Sequence, residues 1–594
     1  MSYRRKKLLA LFCATALSMT AVAGCTGTKS STGNVVSSET ETNAEETSAQ
    51  SEAGTFSSAD MFTERDLAGT YEESGAVYVT LSDDGIAGET DGVVIDGQMV
   101  TITAEGTYIF SGTLSEGQIV VDADNAKVQI VFDNVDITCA SSAAVYVKSA
   151  EKVFVTLAEG SQNTLRNTDE YVAIDDNNID AVIFAKSDLT LNGTGSLTII
   201  SAEGHGIVSK DDLKIIGGTY DITAAGHALS GKDSVRIADG TFILTAEKDG
   251  IHAENADDEE KGYIYIADGD FTITSDGDGM DASNIVQIED GTLDITAGGG
   301  SANSLKTHES DVPGGPGGGM PQNGEKLDGE SMPQMGEKPD GENMPQDTTT
   351  DESGTSTKGI KAGGGMYLNG GTYQIDSADD SIHSNANITI ADGTYTLATG
   401  DDGVHADDAL IVNGGTITVT ESYEGLEGLA VTINDGTIDI TASDDGINTA
   451  GEKMELNGGY IHILAGGDGV DSNGDLTING GEIYIDGPSD NGNSAIDYGD
   501  RSSAYVNGGT LVAIGSSGMA EVMSDSSKQK VLMVKLGEQM EAGNVVLTDS
   551  EGNVIVSYTA LKTYDCVIIS TAEVESGATY TLTTSGTTTE VTAE

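Results

Sequence analysis

The chain has 594 residues, 97 of them Asp or Glu against 28 Lys or Arg, for a formal net charge of -69, with 78 Gly, 4 Cys and no Trp. That field repels nucleic acid and anionic membrane surfaces and favours cations. With so few cysteines a disulfide scaffold is excluded, and Cys139 and Cys566 stand too far apart in sequence to presume a bridge.

The amino terminus, MSYRRKKLLALFCATALSMTAVAGC, sets Arg4, Arg5, Lys6 and Lys7 before a short apolar run that ends in small residues. It reads as an export signal, too short to span a bilayer. Val22, Ala23, Gly24 and Cys25 resemble a bacterial lipobox, which implies a signal peptide over 1–24, lipidation at Cys25 and an extracytoplasmic, lipid-anchored location at the bacterial cell membrane. Residues 25–59 are rich in Ser, Thr, Glu and Gly and read as a disordered tether.

Residues 60–203 carry longer strands such as AKVQIVFDNVDIT and KVFVTLAEG, and are expected to form an N-terminal cap with irregular first coils. From 204 to 524 an internal repeat takes over. The apolar residues Ile207, Leu229, Ile251, Met280, Ile360, Ile382, Val404, Leu426, Ile447 and Val470 follow one another mostly at 22-residue spacing. A second marker, GGT or DGT, keeps the same phase, as at Gly217, Asp239, Asp392 and Gly414. Apolar alternation between the markers, as at Ile388 and Ile390, means short strands with one buried face, separated by Gly, Asp and Asn turns. A strand-only unit of this length is one rung of a parallel β-helix. Tyr220, Phe242, Phe271, Tyr373 and Tyr395 share the parity of the core positions and are expected to stack inside.

Residues 308–357 break the register. Six of the seven prolines lie there, with the tandem MPQNGEKLDGES and MPQMGEKPDGEN, and the segment reads as a disordered Pro/Gly-rich insertion. Residues 525–594 lose the marker and read as a C-terminal module of antiparallel strands that caps the open end.

A repeat becomes a column when coils stack. Asp249, Asp278, Asp380, Asp402, Glu424, Asp445 and Asp468 fall into one column, and His252, Asp281, His383, His405, Glu427, Asn448 and Asp471 into a second beside it. Two carboxylates about 5 Å apart repel by roughly 1 kcal/mol in water and more at a partly buried corner, so the column calls for cations. Oxygen donors from consecutive coils suit Ca²⁺. The expected metal ligands are therefore Asp249, Asp276, Asp278, Asp281, Asp380, Asp402, Glu424, Glu427, Asp445, Asp468 and Asp471, with the histidines as outward hydrogen-bonding groups. Asp and Asn before Gly are also ordinary turn residues, which accounts for a share of these carboxylates without any ion.

The lipobox, the tether and the coils carrying DGI(H/D/N) and (G/D)GT resemble the clostridial cell-surface carbohydrate-binding lipoproteins with a right-handed parallel β-helix, a family akin to pectate-lyase-type solenoids. The resemblance covers about residues 60 to 590. It implies an all-β, right-handed parallel β-helix of about 22-residue coils with a small C-terminal β-module, calcium in the solenoid, and a polysaccharide partner such as cellulose or polygalacturonate. The absence of Trp favours an anionic or mixed plant cell-wall glycan over crystalline cellulose. Two other readings stay open. A calcium-dependent lyase needs a base, for which Lys358 and Lys361 are the candidates, placed where neighbouring coils have their acidic pair. A non-catalytic adhesin or structural stalk needs no ligand site.

Overall fold

A computed structural model describes residues 55–306 and 356–593, apart from Glu89, Glu259, Glu452 and Asp500. The export signal, Cys25, nearly all of the tether and the tandem-bearing insertion lie outside the described residues.

Nearly every described element is a strand, and the strands join in one long, mostly parallel sheet system that winds as a β-helix-like solenoid. Strand Ile360–Ala362 pairs with Ile382–Ser384, which pairs in turn with Val404–Val412, each in parallel register. The apolar residues at the head of each strand thus lie over one another: Ile207, Leu229, Ile251, Met280, Ile360, Ile382, Val404, Leu426, Ile447, Val470 and finally Ile496. All are buried in one continuous core. Pairing continues across the insertion, for Met280 opposes Ile360 and Leu293 opposes Tyr373.

The two sequence markers have different physical causes. In GGT and DGT the glycine before Thr takes a left-handed φ, as at Gly393 (122°) and Gly415 (90°), where a side chain would be strained. The glycine of DGI has ordinary φ and is needed for space. A Cβ on Gly469 would stand 2.2 Å from the Ile485 Cγ2 and 2.6 Å from the carbonyl oxygen of Ala495 in the next coil.

The aromatic residues after the second marker are inside, as their parity indicates. Tyr220, Phe242 and Phe271 stack with centroids 5.2 and 4.7 Å apart, and Tyr373 stacks on Tyr395 at 4.5 Å. None of these rings is more than 2 % exposed, so they are core and leave no binding platform there.

At the N-terminal end, hairpin Val93–Asp96 and Met99–Ile102 is antiparallel, while strand Val77–Leu81 already pairs in parallel with Gly106–Leu114. Two short helices, Ser58–Met61 and Glu64–Ala68, stand at the boundary placed at residue 59. Phe56, within the stretch read as tether, packs on Tyr263 at 4.3 Å, and its amide donates to Gln287. With the Gln287 side-chain amide also donating to the Phe56 carbonyl, a ring contact and two hydrogen bonds hold that end. Beyond the last coil, strand Thr510–Gly515 pairs antiparallel with Tyr564–Ser570, and a separate four-stranded antiparallel sheet follows. Its apolar side covers Val512 and Ile514 of the last coil.

Candidate metal-binding columns

The parallel register places the two expected columns side by side. The second runs Ser230, His252, Asp281, Lys361, His383, His405, Glu427, Asn448, Asp471, Asp497, each opposite the next in adjacent strands. The first sits two residues before each strand, at the turn. Its members are linked by a repeated hydrogen bond, in which the side chain of one coil accepts the backbone N–H of the same position in the next. Asp249 accepts from Asp278, Asp278 from Lys358, Asp380 from Asp402, Asp402 from Glu424, and Asp445 from Asp468. Here lies the structural use of a short acceptor at this position: it satisfies an amide that the ladder leaves over. Lys358 cannot accept, and the Asp380 amide instead donates to Asp379.

Sequence reasoning missed the first two members. His205 accepts the His227 amide at 2.8 Å and His227 accepts the Asp249 amide at 3.2 Å, so both histidines belong to the ladder. The signal is in the sequence, since both precede an apolar marker residue in phase, although neither is a carboxylate.

Five groups of ligating side chains converge along these columns, and their neighbours set them apart. Asp379, Asp380 and Asp401 already hold two ammonium groups. Lys306 lies 3.1 Å from Asp379 and 2.7 Å from Asp401, and Lys358 lies 2.9 Å from Asp379 and 2.6 Å from Asp380. Burial opposes the Asp380 charge, but Lys358 and His383 hold the carboxyl well below its ordinary range. The Asp380, His383 and His405 group shares the same Lys358. Lys361 stands 3.4 Å from Asp278 and 3.3 Å from Asp281, while burial pushes the Asp278 carboxyl up to about 7.

In the Asp402, His405 and Glu427 group the imidazole is the cation. His405 Nδ1 is 3.0 Å from both carboxylates. Burial disfavours its charge, yet the bonds to Asp402 and Asp407 push it up to about 12. Glu424, next in the first column, is pushed well up by burial and by the charges of Asp402 and Glu427, and its Oε2 accepts from Asn448.

The group Asp445, Asp468 and Asp471 differs from all of these, for no Lys, Arg or His pairs with any of them among the described residues. Burial, then Asp444 and Asp468, push Asp445 up to about 8. Burial and the carboxylates Asp497 and Asp471 push Asp468 up to about 7, and burial with Asp497 and Asp444 pushes Asp471 up to about 6. Oxygen donors crowded in this way, with nothing positive between them, fit a hard divalent cation such as Ca²⁺.

Asp276 is not drawn into the columns. It is exposed and lines a cleft of about 360 Å³ with Glu247, Asn303, Lys306, Thr357 and Asp379. Lys358 and Lys361 sit in the columns, as the repeat indicates, and act as internal counter-ions. Their carboxylate neighbours outweigh burial and raise both ammonium groups above the ordinary range. Proton abstraction needs the opposite shift.

A family model described as carbohydrate-binding domain-containing protein matches residues 96–403 and 401–553. A protein of that description from Acetivibrio thermocellus is 40% identical over 139 residues, which are 23% of this chain and 49% of the relative. The chain thus spans about half the length of that curated relative. A solved structure, a gadolinium derivative of the polysaccharide lyase-like protein from C. thermocellum, is 36% identical, covering 38% of this chain and 92% of that one, with a TM-score of 0.37. With the family model matched over most of its length, the chain belongs to the carbohydrate-binding domain-containing protein family.

Proposed function

We propose that this protein is a calcium-dependent polysaccharide-binding lipoprotein of the bacterial cell surface, built as a right-handed parallel β-helix of about 22-residue coils and recognising pectin-like or mixed plant cell-wall glycans. Family membership supports the carbohydrate partner. The observation that carries the calcium is the group Asp445, Asp468 and Asp471, in which a buried carboxylate and two half-buried ones meet with no internal cation among the described residues. An acidic protein and an acidic glycan repel, and an ion held by carboxylates on one side with open coordination on the other removes that repulsion. Lipidation at Cys25 supplies the membrane anchor in this reading.

Retention of the protein on immobilised polygalacturonate tests it. Retention in Ca²⁺, release by chelator and loss in Asp468→Asn/Asp471→Asn are expected. Retention that is indifferent to chelator overturns the calcium bridge, and absence of retention on any acidic or neutral plant glycan overturns the glycan partner. Unsaturated uronate products appearing in the same incubation would favour the lyase reading, against which the protonated state of Lys358 and Lys361 stands.

A further inference from the structure

Between strands Gln162–Asn167 and Ala181–Ala185 the chain leaves the coil in a loop, residues 168–180, whose two shoulders are fastened differently. At the first, the Asp169 N–H donates to the Ala140 carbonyl at 2.9 Å and the Val172 N–H to the Ser141 carbonyl at 2.8 Å. At the second, the Tyr146 hydroxyl donates to Asp175 at 2.7 Å and accepts from the Asn177 side-chain amide at 2.7 Å. The Tyr171 ring lies against Gly204, where a Cβ would stand 2.6 Å from its Cε2, and its hydroxyl is 3.2 Å from Ser201 Oγ. Glycine at 204 thus makes room for the ring.

Between this loop and the turn at Glu203 is a cavity of about 440 Å³, lined by Tyr171, Ala173, Glu170, Asn178, Asp180 and Glu203 among others. Val172 and Ile174, on either side of Ala173, are 59% and 50% exposed, an unusual apolar pair on so acidic a surface. The lining decides what can enter. No Lys, Arg or His is among the lining residues, so a uronate or phosphate would meet carboxylates and no positive partner. A divalent ion is not served either, because among the described residues Glu170, Asp180 and Glu203 do not converge as the carboxylates of the columns do. Carboxylates and side-chain amides exchange hydrogen bonds with hydroxyl groups, and a tyrosine ring supplies apolar surface, which together suit a neutral sugar. The volume is near the lower end of the roughly 300–1,000 Å³ of small-molecule sites, enough for one or two sugar residues.

We propose that this cavity is a calcium-independent site for a neutral sugar at the end of a glycan chain or branch, separate from the calcium group at Asp445, Asp468 and Asp471. The inference rests on the carbohydrate-binding reading and divides the labour within it. The charged backbone of a mixed glycan is held through calcium in the late coils, and its neutral ends are held by the loop at 168–180. Tyr171 carries the apolar contact, and Asp180 and Glu203 accept from sugar hydroxyls.

Full-length protein in chelator, probed by saturation-transfer NMR with galactose, arabinose, xylose and cellobiose, tests the site. At least one of these sugars is expected to receive saturation, and galacturonate none. Tyr171→Ala should weaken binding roughly ten-fold, the scale of one lost aromatic contact. If that variant does not fold by circular dichroism, Glu203→Ala, at an exposed position, makes the same comparison. Asp468→Asn/Asp471→Asn should keep the signal while losing retention on polygalacturonate. No saturation of any of these sugars, equal saturation of galacturonate, or undiminished binding in the folded variant overturns the proposal. Because the readout is taken without calcium, its failure leaves the calcium bridge standing, and failure of the calcium bridge leaves this site standing.

Discussion

Lys358 Nζ lies 2.6 Å from Asp380 Oδ2, in a column position that most neighbouring coils give to a carboxylate. One coil thus carries its counter-ion in the chain, and the coils at Asp445 and Asp468, further along the column, do not. Replacing Lys358 by Met leaves Asp379 and Asp380 buried with one positive partner fewer. The expected loss is about 3–5 kcal/mol, the scale for a buried pair broken on one side, read as a lowered thermal midpoint. Lys358→Arg should restore part of it.

Metal-free protein should lose stability as pH rises. Asp471, Asp468 and Asp445 have carboxyls raised to about 6, 7 and 8, so the folded state holds protons that the unfolded state releases near the ordinary carboxylate range. Their contribution is fully present below pH ~4 and is lost as pH climbs from about 6 to 8. Calcium should flatten this slope, and Asp468→Asn should reduce it. Chemical denaturation in chelator at a series of pH values measures both.

Asp66 has the opposite sign. It is fully buried, 2.6 Å from Lys152, and accepts hydrogen bonds from Thr63 and Thr190. Burial opposes its charge, but the bonds from Lys152 and Thr63 hold the carboxyl down at about 2. The stability it adds is present above its ordinary value and is lost as pH falls toward 2. Asp66→Asn should cost about 3–5 kcal/mol at neutral pH, because Lys152 is left without its partner, and the difference from wild type should shrink in acid titration.

Phe242 is stacked between Tyr220 and Phe271 with 1% of its surface exposed. Phe242→Ala should cost about 3–5 kcal/mol, while Phe242→Leu should cost less. Limited proteolysis should cut first near these coils if the loss is local.

Much of this was legible because stacking turns sequence period into spatial neighbourhood. Ile207 to Val470 recur in phase along the sequence, and their pairing in the sheet follows that phase. The aromatic stack was legible by parity. What the period could not disclose was the partner of each carboxylate. Lys306 reaches Asp401 from a turn outside the repeat, and Asp497 joins the last group from a coil with a longer spacing. The histidine ladder at His205 and His227 shows a related gap: a position that needs a short acceptor for an amide admits imidazole as well as carboxylate, so residue type alone does not define the column.

Lys306 and Lys358 lie on either side of residues 307–355, and both deliver their ammonium groups to Asp379. Strands on either side pair as if contiguous, with Met280 opposite Ile360. The described residues on the two sides are thus fastened to one carboxylate, beside strands that are already paired. A guest domain grafted into residues 308–355 should therefore leave the thermal midpoint of the coils close to that of the parent chain.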